Sequence, residues 1–184
     1  AAYLVMAQLV AEGKLPYIDF FEWNPPLIMY LNLIPLVIAK QLHLPIIAVF
    51  NYSVISLCAF SAIMSLHLAT KYMSKQQLTA FLPFIFAATY FNLDQTTNIG
   101  EREHLFIVAY LPFLILRGLA WQGQKISRLD AIVSAVVAAV GMALKPQFAA
   151  SALLVELCFY YQFKTIKVFA RPEIYTVMVV FLLY

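Results

Sequence analysis

The sequence has few charged residues for its length, and this scarcity sets its class. Charged side chains make up 11% of the 184 residues, against roughly 25% in a soluble domain. Apolar side chains make up 64%, where a soluble domain has about 45–50%. This balance is that of an integral membrane protein. The net charge of +3 is small and spread along the chain, so we expect no nucleic-acid partner.

Cysteines and the common catalytic motifs are also scarce. The only two cysteines, Cys58 and Cys158, lie inside apolar runs. We therefore expect two buried thiols, without a disulfide framework or a metal cluster. The sequence has no Walker loop, Rossmann glycine pattern, Cys–His metal spacing or nucleophile elbow. These absences disfavour an ATP-driven pump core and an enzyme of the soluble type.

The apolar runs predict an all-α fold, a polytopic bundle of transmembrane helices. Backbone groups cannot stay unpaired in lipid, so spans of this kind are helices. Residues 1–45 predict an outer juxtamembrane loop with amphipathic helices, beginning with a short helix over residues 1–12. Residues 46–184 predict about six transmembrane helices. The predicted spans are 46–70, 78–91, 105–116, 131–144, 148–163 and a last one from 174 onward.

The two ends of the sequence and one short apolar segment affect the number of complete transmembrane helices that we expect. The sequence lacks an initiator Met and ends in an apolar run, residues 177–184, too short to cross about 30 Å of hydrocarbon. We therefore expect a single membrane domain over residues 1–184, incomplete at both ends, with its last helix truncated. Segment 26–40 is marginal for a span because it is short and contains Asn32 and Pro35. We favour an interfacial or partly inserted helix there over a crossing.

The distribution of charge between the loops predicts an orientation. If segment 46–70 runs from outside to inside and 26–40 does not cross, eight of the twelve basic residues share one side. They are Lys71, Lys75, Arg117, Lys125, Arg128, Lys164, Lys167 and Arg171. The positive-inside rule places this side in the cytoplasm. The acid-rich loops then lie on the outer face, with Glu12, Asp19, Glu22, Asp94, Glu101 and Glu103.

The first polar island is residues 13–26, which hold two carboxylates, four aromatic residues and three prolines. Its carboxylates, Asp19 and Glu22, are three residues apart and flanked by aromatic side chains. Carboxylates in such a place can act as a general base or bind a metal. They can equally cap the turn from the loop into the following helix, and the residues alone leave both alternatives open.

The second polar island, residues 92–104, ends in four consecutive ionisable residues before a span. Glu101 and Glu103 suit the positive end of a helix dipole there, whereas Arg102 and His104 do not. Pairing of these four side chains with one another, or a ligand site that they form, explains the presence of all four better than the dipole does. Asp94 lies among amide side chains, and turn chemistry explains it better than a site does.

Two further polar residues lie at or within predicted spans. Lys145 precedes Pro146 at the outer end of a span, where it can hold a phosphate or extend its ammonium group to the interface. Glu156 is central in an apolar run and is therefore a functional candidate by default. A hydrogen bond to a neighbouring helix is the explanation we favour for Glu156.

The two islands together resemble polytopic C-type glycosyltransferases, in the style of the protein O-mannosyltransferase and aminoarabinose transferase group. Residues 13–26, followed by an apolar helix, look like the first outer loop of that family. Glu101–Arg102–Glu103–His104 falls where the family carries an acid before the fourth span, as Asp94 does more loosely. Lys145–Pro146 resembles a basic position near the donor phosphate. The resemblance covers most of the chain in order and topology, although its motifs are degenerate.

The resemblance implies an enzyme that transfers a sugar from a polyprenyl-phosphate donor to an acceptor hydroxyl or amine at the outer face. Its implied place is a plasma or inner membrane, with the acid-rich loops on the periplasmic or extracytoplasmic side. No cofactor is required by it, but a divalent cation is the alternative to a basic side chain beside the lipid phosphate. The implied catalytic residues are Glu103, Glu101, Asp19 and Glu22. The implied substrate-binding residues are Arg102, His104, Lys145 and Asp94.

One departure from the family pattern concerns the first acid. In the family this acid stands a few residues before a tyrosine like Tyr3, so the main catalytic base is expected upstream of residue 1.

Two alternatives of other classes are a membrane transporter and a non-catalytic polytopic protein. A transporter would need polar residues or broken helices at mid-membrane. Glu156 and Gly141 are the two residues that point to such an arrangement, and they support it only weakly.

Overall fold

The structure is a computed structural model that describes residues 2–93 and 99–184. The described residues form eight α-helices and two short 3₁₀ turns, which confirms the all-α prediction. The helices are α1 (Ala2–Ala11), α2 (Leu27–Leu42), α3 (Ile46–Tyr72), α4 (Lys75–Leu93), α5 (Arg102–Trp121), α6 (Arg128–Ala143), α7 (Ala149–Phe163) and α8 (Pro172–Leu183). The 3₁₀ turns are Pro146–Phe148 and Ile166–Phe169.

Two helices of the described chain are long and apolar enough to cross a membrane. They are α3, with 27 residues, and α5, with 20 residues. They contain the predicted spans 46–70 and 105–116. A polytopic arrangement with about six crossings stays a prediction.

The chain divides into two compact units, Ala1–Ser56 and Leu57–Tyr184. In the first unit, α1 packs against α2 and buries Leu4 and Ala7, while α2 buries Ile28 and Met29. Asn32, which argued against a lipid-exposed helix, is also buried on α2. The helix predicted from residue 26 is therefore present, and its polar side chain faces protein.

The second unit is built on α5, which packs against α6, and on α6, which packs against α8. Tyr110 and Phe113 of α5 pack into one apolar cluster with Ile174 of α8 and with three alanines and a methionine on α6. Small residues let membrane helices approach closely. The buried members contributed by α6 are Ala135, Ala138, Ala139 and Met142.

Gly141 lies where α5 and α6 approach each other closely. A Cβ atom added at Gly141 would lie 2.8 Å from the Cβ of Ala109, closer than two carbon atoms can pack. The role suggested by the sequence, a helix break in a transporter, is therefore replaced by a packing role. Because Lys145 follows Gly141 by one helical turn, this contact also sets where Lys145 lies relative to α5.

Gly141 and Gly118 provide a matched pair of substitutions to alanine. In an exposed helix interior, alanine is about 1 kcal/mol more favourable than glycine. We expect Gly118→Ala to raise the unfolding midpoint, because an added Cβ meets nothing within 4 Å. We expect Gly141→Ala to lower it, because α5 and α6 must separate. Thermal unfolding in detergent checks both, and equal shifts would contradict the close packing at Gly141.

A polar cluster around Asp130 joins the end of α3 to the start of α6. The Asp130 carboxylate accepts hydrogen bonds from Lys71 Nζ at 2.7 Å and Tyr72 Oη at 2.6 Å, and lies 3.1 Å from His67 Nε2. Ser127 caps α6 by accepting a hydrogen bond from the backbone N–H of Asp130. Burial alone would raise the pKa of Asp130, but these hydrogen bonds outweigh it and hold the pKa well below its usual range.

The depressed pKa of Asp130 predicts a pH dependence of stability. Ionised Asp130 stabilises the folded state fully above its unfolded pKa of about 3.9, and this contribution is lost as the pH falls towards the lower folded pKa. Acidification from pH 6 to pH 3 is therefore expected to lower the unfolding midpoint less in Asp130→Asn than in the wild type. Parallel curves for the two proteins would show that Asp130 is not responsible.

The two cysteines differ in their surroundings. Cys58 on α3 is buried, as expected, whereas Cys158 on α7 is exposed, contrary to the expectation of a second buried thiol. The reason is that α7 is apolar on more faces than its neighbours cover. Its Leu153, Leu154 and Leu157 are exposed as well.

Candidate functional site

The candidate site lies at the N-terminal end of α5. The chain reaches it through Gly100, whose φ of 74° belongs to the left-handed region that glycine adopts easily. Glu101 follows in an extended conformation as the N-cap residue, and Glu103 lies in the first helical turn. The positive end of the helix dipole favours carboxylates at these positions.

Glu103 forms an ion pair with Lys145, which lies 42 positions later in the chain. Lys145 follows the end of α6 and has an extended backbone, as expected for a residue before proline. Its side chain is 18% exposed and that of Glu103 is 54% exposed. Two residues predicted for the site are therefore in contact, at a place that solvent and a ligand can reach.

Stacked aromatic rings support this ion pair. The rings of Phe106 and Phe148 are nearly parallel, with centroids 4.3 Å apart, and Tyr110 stacks on Phe106 at 5.1 Å. Lys145 Nζ lies 5.8 Å from the centroid of Phe148, within the range of a cation–π contact. The rings therefore provide an apolar wall beneath the charged groups and connect α5 to the 3₁₀ turn after α6.

Arg102 and His104, the sequence neighbours of Glu103, are both buried. His104 Nδ1 accepts a hydrogen bond from the backbone N–H of Gly100 at 3.1 Å. This contact fixes the turn that leads into α5, so His104 positions the chain at the site. Arginine is rarely buried to this degree, and Arg102 places a second positive charge in the residue next to Glu103.

Three predicted site residues remain, namely Asp19, Glu22 and Asp94. Asp19 and Glu22 belong to the first unit, where Asp19 Oδ2 accepts from the backbone N–H of Leu15 at 2.7 Å. Glu22 Oε1 accepts from the backbone N–H and the side-chain amide of Asn24, at 3.1 and 2.6 Å. These bonds lie within the loop, between residues 15 and 24. The capping role and the catalytic role of these acids both stay predictions. Asp94 lies outside the described residues.

A buried cluster of three charged residues was missed by the sequence reasoning. Arg117 was counted among the loop charges, but its side chain is 1% exposed. Its Nη1 donates to Glu173 Oε1 and its Nη2 to Glu156 Oε2, both at 2.6 Å. This triad joins α5, α7 and α8, and confirms the prediction that Glu156 bonds to a neighbouring helix. The sequence contained an indication of this contact. A buried acid needs a partner of opposite charge, and Arg117 borders the apolar run 105–116.

Among residues 2–93 and 99–184, no three His, Cys, Asp or Glu side chains are grouped closely enough to hold a metal ion. The positive charge beside Glu103 comes from Lys145 and Arg102. Comparison with protein-family models, curated proteins and solved structures gives no match for this chain. Its function is therefore inferred from its own residues and their geometry.

Proposed function

We propose that the protein is a membrane glycosyltransferase that moves a sugar from a polyprenyl-phosphate donor to an acceptor at the outer face of the membrane. The observation that carries the proposal is the Glu103–Lys145 ion pair. It places a carboxylate and an ammonium group at the partly exposed end of α5, a helix long and apolar enough to cross a membrane. Sugar transfer from a lipid phosphate uses a base for the acceptor and a cation for the leaving phosphate, and this pair offers one of each.

In the proposed reaction, Lys145 binds the donor phosphate and thereby releases Glu103 to act as a base. The Glu103 carboxylate takes the proton of the acceptor hydroxyl or amine. The acceptor atom forms a bond to the anomeric carbon of the sugar, and the bond from that carbon to the phosphate oxygen breaks. Lys145, Arg102 and the N-terminal end of α5 stabilise the negative charge that the leaving phosphate gains.

The proposal includes a multi-pass arrangement with the Glu103 end of α5 on the outer face. Its support is the distribution of basic residues between the predicted loops, where seven of the twelve, without the buried Arg117, lie opposite the acid-rich loops. A donor with a long apolar tail requires its enzyme to be embedded in the bilayer, which agrees with the composition of the chain. The acceptor and the sugar stay open within this proposal.

The buried triad is the observation that favours the alternative of a transporter, because charged residues within a membrane often mark an ion or substrate path. Both glutamates of the triad, however, bond to Arg117, and these two bonds link three helices. They therefore suit helix packing better than a path for a transported ion.

The proposal is tested by incubating the protein in its membranes with polyprenyl-phosphate donors that carry radiolabelled sugars. We expect the label to leave the lipid fraction for at least one donor, and to do so only in membranes that contain the protein. Membranes from the same cells without it are the control. No release across a panel of hexose and pentose donors would overturn the enzyme proposal in favour of the transporter.

A further inference from the structure

The first unit has an exposed apolar surface that runs from residue 15 to residue 38, along the loop before α2 and then along α2. Ten side chains in this range, which the structure describes throughout, are exposed. Nine of them are apolar or aromatic, and the tenth is Asp19. Large exposed apolar surfaces mark sites of contact with a protein or a membrane. We call these exposed side chains the 15–38 surface.

The polar groups of the loop hold its shape. The Asp19 carboxylate accepts a hydrogen bond from the backbone N–H of Leu15, and Tyr17 Oη donates to the backbone carbonyl oxygen of Asn24. The backbone N–H of Tyr17 donates to the carbonyl oxygen of Phe20 at 2.8 Å. A loop that is already held in one conformation loses little conformational entropy when its exposed side chains become covered.

The exposed tip of this loop consists of Ile18, Phe21 and Trp23. Ile18 is 78% exposed and Trp23 is 88% exposed. The rings of Phe21 and Trp23 pack edge to face with centroids 4.9 Å apart, so they are presented together. Tryptophan is enriched at the boundary between membrane and water, where its ring contacts apolar groups and its N–H stays close to water. These residue types therefore suit the interface of a bilayer.

The apolar surface continues on α2, which begins directly after the loop. Tyr30, Ile34 and Val37 are exposed at the spacing of one helix face, while α2 packs against α1 in the same unit. A helix at the surface of a soluble domain would turn a charged or polar face outward. The outward face of α2 is apolar, so it suits contact with lipid.

Two exposed lysines flank the 15–38 surface. Lys14 directly precedes it, and Lys40 follows it by two residues. Lysines beside an apolar membrane segment extend their ammonium groups to the level of the lipid phosphates. Protein docking surfaces are instead compact patches with a polar rim. A long apolar surface with an exposed tryptophan and a lysine at each end therefore fits a lipid interface better than a protein partner.

We propose that the 15–38 surface lies in the boundary between headgroups and acyl chains of the outer leaflet and anchors the first unit there. Ile18, Phe21 and Trp23 contact the upper part of the acyl chains, and Lys14 and Lys40 lie at the level of the phosphates. The inference rests on the membrane location in the proposed function and does not depend on sugar transfer.

Trp23 serves as the probe of this position, because Trp121→Phe leaves it as the only tryptophan among these 184 residues. The protein would be reconstituted in phosphatidylcholine vesicles with bromine either near the glycerol end or near the methyl end of the acyl chain. We expect at least about twofold stronger quenching by the shallow bromine, because an interfacial segment lies about 5–10 Å into the headgroup–acyl boundary. Iodide present on both sides of the vesicle is expected to quench Trp23 weakly.

Making the tip polar is expected to move Trp23 towards water. Ile18→Asn combined with Phe21→Asn should raise the iodide quenching constant of Trp23 about twofold, because two apolar side chains of the tip no longer favour the interface. Ile166→Asn is the matched control, since Ile166 is 75% exposed but belongs to the second unit. Circular dichroism checks that each variant keeps its helices.

Four outcomes would overturn the interfacial position of the 15–38 surface. Strong iodide quenching without bromine quenching would place Trp23 in water. Weak quenching by both reagents would show that protein, such as a second copy of this chain, covers the loop. Stronger quenching by the deep bromine would place the loop within the hydrocarbon core. Equal iodide quenching in the folded double variant and the Ile166→Asn control would show that the tip does not hold the loop at the interface.

The quenching experiment is independent of catalysis. Shallow bromine quenching of Trp23 in a protein without sugar transfer would support the interfacial surface while the enzyme proposal fails. Sugar transfer by a protein whose Trp23 lies in water would support the enzyme and overturn the interfacial surface.

Discussion

Replacing Glu103 by glutamine is expected to lower sugar transfer by about 100- to 10,000-fold, the range that a general base contributes. The glutamine amide keeps an oxygen that can accept a hydrogen bond from Lys145, so the contact between α5 and the turn after α6 is preserved. What is lost is the capacity to take a proton from the acceptor. We therefore expect kcat to fall while the amount of folded protein and the KM for the donor change little.

This result is measured with the same radiolabelled donor assay, on membranes with equal amounts of wild-type and variant protein. Glu12→Gln is the control, because Glu12 is an exposed carboxylate that also belongs to the predicted outer face. Transfer by Glu103→Gln within twofold of the wild type would make Glu103 a helix-end residue that suits the dipole and would remove it from the site. Loss in both variants would indicate a general effect of outer-face charge.

Replacing Arg117 by methionine is expected to cost about 3–5 kcal/mol of stability, as removal of one partner from a buried ionic cluster typically does. The carboxylates of Glu156 and Glu173 would stay buried without their cation. Methionine fills much of the space of the arginine stem, so the loss comes from charge more than from volume. The measurement is the unfolding midpoint in detergent, followed by chemical denaturation at neutral pH.

A combined variant separates charge from packing. Arg117→Met with Glu156→Leu and Glu173→Leu removes all three charges, and replacing a whole buried ionic cluster with apolar residues is often neutral or stabilising. We expect this triple variant to unfold within about 1 kcal/mol of the wild type or above it. A single Arg117→Met variant as stable as the wild type would show that the triad does not hold α5, α7 and α8 together.

The helices could be predicted from the sequence because apolar runs and proline positions act locally. Segment 26–40 illustrates this, since it forms α2 and buries the one polar residue, Asn32, that made it doubtful as a span. Glu103 and Lys145 were also singled out from the sequence, each as a charge at the end of an apolar run. That they pair with each other was not predicted, because their contact depends on how α5 packs against α6.

What could not be predicted depends on packing between helices far apart in the chain. Arg117 bonds to residues 39 and 56 positions away, and only the packing of α7 and α8 on α5 brings them together. For Glu101–His104 the expectation was mutual pairing or a ligand site with no more than two side chains on one face, because consecutive helical residues point in different directions. Glu103 therefore reaches Lys145 while Arg102 and His104 are buried.

The buried triad also has a consequence for the order in which the protein is assembled. A buried carboxylate without a partner cation is strongly unfavourable. During synthesis α5 emerges before α7 and α8, so Arg117 is already present when Glu156 and then Glu173 are made. Each acid can therefore be buried against a cation that the chain has already produced, and the chain order itself spares both acids an unpaired intermediate.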